Sequence, residues 1–492
     1  MPTPTKPRFP FFSLEPRIRI LHYSWAAFFV SFVMWFNHAP LMAAIRDTFN
    51  LSKPEVAALL TLNVALAIPG RLIVGIFVDK VGPRRMFAGL LLATGIIAFF
   101  FAFAQSYAAL AFSRFLLGLS GAGFVVGIRL IGEWYPARET GLAQGLYAGL
   151  GNFGSAAAAF VLPWVASLYG GPEGWRYAVA ATGVVSIVYA AIFYAGVRDM
   201  PKGSTYFSPK KMGAMEVTSV SDFFLYCIMQ APLTATLALL TYKLGPSNMK
   251  ILPETPTLLC YLGLAALYTF QLYDTWRINK SIFTKPVAPI HQYSFRQVAV
   301  LDYVYFITFG SELAVVSILP LLFKDTFGFS LGVAGFLGAS FGLTTFFARP
   351  GGGWLSDIFG RKRVLVTCLA GTTLGYFGMS TMGQATGPVF AVIATVFCSL
   401  FVNAGNGAVY AMLPMIKRRL TGQIAGMVGA FGNVGGVIFL TVYSSYDAQT
   451  MLAVAACTSA IGLALVWLFV ENPKGQIAEE MPDGTIAMID VT

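Results

Sequence analysis

The sequence predicts an all-α polytopic membrane protein: two six-helix halves with a helix pair inserted between them, twelve spans plus two. Three observations carry that prediction. Of the 492 residues, 57% are hydrophobic and 11% charged, with a mean hydropathy of +0.69, which one soluble core cannot accommodate. Apolar runs of about 20 residues, the length of a bilayer-crossing helix, recur from end to end between short polar loops. Finally, the second half of the chain repeats the first, and helices are expected because an open sheet in lipid would leave backbone groups unpaired.

In chain order, the first spans are read at 24–45, 56–78, 86–104, 107–132, 140–168 and 176–197, forming an N-terminal bundle, 1–197. A polar stretch then opens a central cytoplasmic linker, 198–296, which holds two further apolar runs at 222–242 and 256–275. Asp222, Pro232 and Asp274 make this pair compatible with lying along the membrane surface as well as with crossing it. Crossing by both keeps the two halves in one orientation, which the loop charges require. The second six spans follow at 298–323, 330–356, 364–383, 388–415, 421–444 and 450–470, within a C-terminal bundle, 297–472, and a cytoplasmic tail, 473–492.

Lysine and arginine concentrate on one side of this arrangement. Lys80, Arg84 and Arg85, then Arg138, then Arg361, Lys362 and Arg363, then Lys417, Arg418 and Arg419 share it, whereas the opposite loops hold few basic residues, among them Lys53, Arg176 and Lys324. Both termini are therefore expected in the cytoplasm and the protein in the plasma (inner) membrane. The net charge of +11 is a topological signal rather than a nucleic-acid footprint, because no basic arm gathers it. No small-residue cleavage site follows the first apolar run, so no signal peptide is read. Cys227, Cys260, Cys368, Cys398 and Cys457 lie in apolar runs without metal spacing and are expected to be buried and inert. No metal or cofactor is expected.

The internal repeat is specific. Arg71, Gly75, Asp79 and Gly82 match Arg349, Gly353, Asp357 and Gly360, each displaced by 278 residues, and Asn152 in GLYAGLGNFGS matches Asn433 in GMVGAFGNVGG at an offset of 281. Such duplication implies a pseudo-twofold axis along the membrane normal and a site near the midplane where the halves meet. A guanidinium at that depth costs roughly 2.5–3.5 kcal/mol on insertion scales, so two at equivalent places point to a bound anion.

The pattern G-x-x-x-D-x-x-G-[PR]-[RK]-R after the second span, copied after the eighth, resembles the signature loop of the major facilitator superfamily. The resemblance implies a gating role for Gly75, Asp79, Gly82, Arg84, Gly353, Asp357, Gly360 and Arg361. Glycines allow close helix approach, and the aspartates can pair with basic residues or cap a neighbouring helix in a contact that breaks on opening. The paired glycine-asparagine segments resemble the nitrate signatures of the nitrate/nitrite porter family within that superfamily, in contexts similar to cyanobacterial nitrate/nitrite permeases. That likeness implies a porter of nitrate and nitrite, monomeric in lipid. It implies substrate contacts at Arg71, Arg349, Asn152, Asn433, Phe124, Tyr305, Phe309, Gly151 and Gly432. An arginine fork suits a planar trigonal oxyanion as a lysine does not.

Glu312 departs from the family's exchanger branch, where an apolar residue stands. An ionisable carboxyl in a membrane core is a functional candidate; here it is read either as a proton-coupling group or as a structural partner of Arg114 or another basic group on the outer half. Energetics favour a coupling group, since moving an anion inward against an inside-negative potential costs about 2.3 kcal/mol per 100 mV. Exchange of one anion for another avoids that cost without protons. Arg129 and Glu133 are read as an i, i+4 structural pair. The G-x-S-x-G match at Gly338, Ser340 and Gly342 lies inside an apolar helix rather than on a strand-to-helix turn, and is discounted. His22, His38 and His291 are too scattered for a metal site. Rival readings are a porter of another small anion and a non-transporting nitrate receptor, the latter opposed by the lack of a sizeable soluble domain.

Overall fold

The computed structural model describes residues 11–135, 137–201, 214–248, 250, 252–285, 287, 292–417, 420–471, 476–480 and 486–490. The first half folds as α1 (Pro16–Phe36) with α2 (Met42–Phe49), α3 (Lys53–Ala65) with α4 (Ala67–Val81), α5 (Pro83–Ala102), α6 (Tyr107–Leu117) with α7 (Gly123–Trp134), α8 (Ala137–Asn152) with α9 (Gly154–Tyr169), and α10 (Gly174–Gly196). The inserted pair is α11 (Val220–Leu244) and α12 (Glu254–Asn279). The second half comprises α13 (Phe295–Phe327), α14 (Leu331–Leu343) with α15 (Thr345–Phe359), α16 (Arg361–Ser380), α17 (Gly387–Ile416), α18 (Thr421–Ser445) and α19 (Ala448–Phe469). A short antiparallel hairpin of β1 (Gln476–Glu480) and β2 (Ile486–Asp490) follows the all-helical bundle.

The second and eighth spans break at Leu66 and Thr344, again 278 residues apart. Pro69 accounts for the first break, because its ring crowds the carbonyl four residues back and offers no N–H. At the second, Thr344 Oγ1 (3.2 Å) and Ser399 Oγ both donate to the Phe341 carbonyl, competing with the helical N–H. Each break lies five residues before an arginine. After these spans, Gly82 and Gly360 both sit at φ +88°, a conformation that favours glycine and turns the chain into the next helix.

Among the described residues, twelve helical stretches are long and apolar enough to cross a membrane. They include α11 and all the repeated spans except α16, which begins with Arg361, Lys362 and Arg363 but packs along α17 and α19. The expected pair is present as two helices. Of the two, α11 packs on α13, α18 and α3, whereas α12 touches α11 and leaves Leu258, Leu262 and Phe270 about 60% exposed. Asp274, anomalous in an apolar run, accepts the Ala214 N–H at 2.8 Å and pairs with Arg277, while Asn279 accepts the Val217 N–H at 2.8 Å. These groups satisfy the backbone of the segment that leads into α11.

At the end assigned by loop charge to the outside, ion pairs cross between the halves. Arg46 Nη1 lies 3.0 Å from Asp325, Lys324 lies 3.8 Å from Asp47, and Lys53 Nζ donates to the Tyr446 carbonyl at 3.0 Å. All five thiols are free, and Cys260 and Cys457 are exposed on helix surfaces rather than buried as expected.

Candidate functional site

The two arginines, each five residues beyond a helix break, meet at the seam between halves. Arg71 and Arg349 are each 4% exposed. The Arg71 Nη1 donates to the Gly429 carbonyl of α18 at 2.7 Å, and its Nε donates to the Gly121 carbonyl at 3.1 Å, so one guanidinium bridges both halves. Phe309 of α13 lies within reach of both cations, with ring-centre distances of 5.5 Å from Arg71 and 5.4 Å from Arg349. Phe124 stands 5.2 Å from Arg71. Desolvated cation–π contacts of this kind are worth about 2 kcal/mol.

Tyr305 stacks on Phe309 with centroids 4.9 Å apart and planes 10° apart, and its hydroxyl accepts from Arg349 Nη2 at 3.1 Å. This pair fits against α18 only because position 432 has no side chain. A Cβ there would lie 2.6 Å from the Phe309 ring and 2.8 Å from that of Tyr305. Asn433 donates at 3.2 Å to the same Gly429 carbonyl that Arg71 uses, and its Oδ1 is buried without a partner.

Asn152 is also buried, and neither end of its amide has a partner. Gly151 lies one layer out, where a Cβ would collide at 2.1 Å with Phe28, itself packed 5.7 Å from Phe124. The structure thus gathers Arg71, Arg349, Phe124, Tyr305, Phe309, Gly432 and Asn433 into one cluster. Gly151 supports its wall.

Glu312 is buried beside this cluster, and its pairing with Arg114 is overturned. Its Oε2 lies 3.8 Å from Arg349 Nη2 and accepts from Asn406 Nδ2 at 2.7 Å. Arg114 instead donates to Asn37 Oδ1 at 2.8 Å and to the Met34 and Trp35 carbonyls at 3.3 and 3.1 Å. There a fully buried cation caps the carbonyl end of α1, where the helix dipole favours positive charge. Arg129 and Glu133 form the expected pair at 2.8 Å.

Sequence reasoning missed three residues of the site. Tyr410 packs edge-on to Phe124 and Tyr305 at 5.6 and 5.2 Å, and its buried hydroxyl has no partner. Tyr147 stacks on Phe28 and Phe124 and donates to the Gly123 carbonyl at 2.7 Å. Asn406 holds Glu312 while its own Oδ1 is unpartnered. Two asparagines, Asn403 and Asn406, within the otherwise apolar tenth span were the available signal.

Of the gating residues, Gly75 faces α7, where a Cβ would lie 3.5 Å from Val125, and Gly353 faces α17, 3.7 Å from the Gly407 carbonyl. The duplicated glycines therefore serve equivalent helix contacts. Arg84 is anchored within its own half: its backbone N–H donates to Asp199 and its Nε to the Tyr194 carbonyl, both at 2.6 Å. Arg361 opens α16. The side chains of Asp79 and Asp357 lie outside the described residues, as does His291.

Two buried guanidiniums and one buried carboxylate carry a formal excess of one positive charge. Around it lie unpartnered amide and phenol groups within a water-excluding aromatic wall, so the cluster suits one small monovalent anion with several acceptor atoms.

The profile of the Major Facilitator Superfamily matches residues 24–283 and 301–488. The chain is 40% identical to the nitrate/nitrite transporter NrtP of Nostoc punctiforme and 39% identical to that of Picosynechococcus, covering 95% of each chain in both cases. It is 30% identical to nitrate transporter 2.2 of Chlamydomonas reinhardtii, over 95% of this chain and 83% of that one. Among solved structures, a D-xylose–proton symporter superposes with a TM-score of 0.63 at 15% identity, over 93% of this chain and 98% of the symporter, a likeness of fold alone. Full-length similarity and the superfamily match together give one conclusion: this multi-pass membrane chain, a transporter rather than an enzyme, belongs to the nitrate/nitrite porter family of the major facilitator superfamily.

Proposed function

We propose that this protein carries nitrate, and nitrite, inward across the plasma membrane in symport with protons, by alternating access of a midplane site. The observation that carries the reading is the meeting of Arg71 and Arg349, one from each half, over the single ring of Phe309. The names of the full-length relatives supply the anion.

An anion that bridges both arginines must replace the bond from Arg71 to the Gly429 carbonyl and weaken the contact of Arg349 with Glu312. A proton on Glu312 removes the competing negative charge and leaves Arg349 to the anion. Anion and proton thereby favour each other's binding, and linkage makes that coupling reciprocal. In the present arrangement the outer end is held by Arg46–Asp325 and Lys324–Asp47. Breaking these pairs while the opposite end closes around Gly75 and Gly353 would present the site to the outside.

The test is nitrate-driven proton flux into proteoliposomes, for wild type and Glu312→Gln. Expected are proton uptake with nitrate in the wild type, and its loss in the variant with nitrate–nitrite exchange retained. Exchange without proton movement in the wild type would replace symport by antiport of the two anions. Equal proton flux in both proteins would remove Glu312 from the coupling role.

A further inference from the structure

We propose that Asp302 is a second proton-carrying carboxyl of this transporter, placed on α13 below the anion site. It rests on the reading of Glu312 as the first. Asp302 is 0% exposed, and neither carboxylate oxygen has a hydrogen-bond partner.

Among the described residues, no basic side chain pairs with it. Among the helices packed on α13, α14, α17, α18 and α19 contain no Asp, Glu, Lys, Arg or His. The acidic and basic residues of α3 are Lys53 and Glu55 in its first turn, at the outer end, and those of α11 are Asp222 and Lys243 near its two ends. The titratable group that α11 presents toward Asp302 is the Tyr226 phenol, whose oxygen already accepts the Met215 N–H at 3.2 Å. An ionised carboxylate so placed would forfeit its hydration without compensation, whereas the neutral acid forfeits far less. The site therefore holds a proton in this conformation.

Its position links it to transport. Phe309 lies seven positions beyond Asp302, which returns the helix to within about 20° of the same face, roughly 10 Å further along. That face bears Phe309 against Arg71 and Arg349. Asp302 thus lies on the helix that also carries Tyr305 and Glu312, and any tilt of α13 moves all three. One proton per monovalent anion makes uptake electroneutral; a second makes it electrophoretic, adding about 2.3 kcal/mol of driving force per 100 mV. The proton enters Asp302 from the outer aqueous phase and leaves to the inner one, so no other reactant is required.

The test uses full-length protein in proteoliposomes, with proton and nitrate flux recorded together at set membrane potentials. Wild type should move about two protons per nitrate and accelerate when the interior is negative. Asp302→Asn should keep nitrate uptake, fall to about one proton per nitrate and lose its dependence on potential, while Asp302→Glu should retain both. An asparagine variant with the wild-type ratio and potential dependence would overturn the proposal. So would uptake that requires sodium in place of protons.

Nitrate counterflow, which needs no proton, reports whether the variant folds. If Asp302→Asn lacks counterflow, infrared difference spectra of Glu312→Gln decide instead. A protonated-carboxyl band that responds to nitrate supports Asp302, and its absence overturns it. Loss of coupling in Glu312→Gln with an unchanged ratio in Asp302→Asn would refute this inference alone. No effect of either substitution on proton flux would refute the Glu312 reading as well.

Discussion

Arg71→Lys isolates geometry from charge. The guanidinium of Arg71 donates through two different nitrogens to carbonyls on opposite halves, Gly429 at 2.7 Å and Gly121 at 3.1 Å. A lysine ammonium is a point donor on a flexible stem and cannot span both. At least one buried charge-assisted bond is therefore lost, worth about 1.5–3 kcal/mol. The planar face toward Phe124 and Phe309, at 5.2 and 5.5 Å, is lost with it. If the anion engages the same fork, the deficit appears as a rise in KM of about 10- to 150-fold at 1.4 kcal/mol per decade. The assay is initial-rate nitrate uptake into proteoliposomes over a concentration series, normalised to monodisperse protein. A KM within about twofold of wild type would refute the reasoning, because a charge without a fork would then suffice.

Further substitutions probe the walls and the gate. Gly432→Ala places a methyl 2.6–2.9 Å from the Phe309 and Tyr305 rings, an overpacking strain of about 1–3 kcal/mol; nitrate affinity should fall while insertion, judged by size-exclusion behaviour, is kept. At the end assigned by loop charge to the outside, Arg46 is half-buried and Asp325 exposed. Asp325→Arg should slow uptake by setting like charges against Arg46, and the exchanged pair Arg46→Asp with Asp325→Arg should restore it. An exchanged pair no better than the single variant would deny that this contact holds the outer end closed.

The repeat made much of the site legible in advance. Arg71 and Arg349 share one offset, and Asn152 and Asn433 nearly share it, so equivalent places could be inferred without coordinates. The aromatic residues were legible only through motif resemblance, because in a chain that is 15% aromatic a Phe facing an anion and a Phe facing lipid look alike. Tyr147, Tyr410 and Asn406 escaped because their partners lie on other helices. Asp274, an acidic residue in an apolar run, satisfies the backbone at Ala214, a role that no local pattern announces. The hairpin in the tail had no alternating apolar signal strong enough to announce it.

By itself, the sequence determined that the chain crosses a membrane many times, that it is two copies of one six-helix unit, and that each copy carries a buried arginine. Composition and periodicity are local or repeated properties, and they survive without coordinates. Only the tertiary structure decided that Glu312 neighbours Arg349 rather than Arg114, that Arg71 reaches across to Gly429, and that Asp302 is buried without a partner. Those facts depend on which faces of distant helices meet, and an apolar helix buried on all sides carries no periodic signal to say which face that will be.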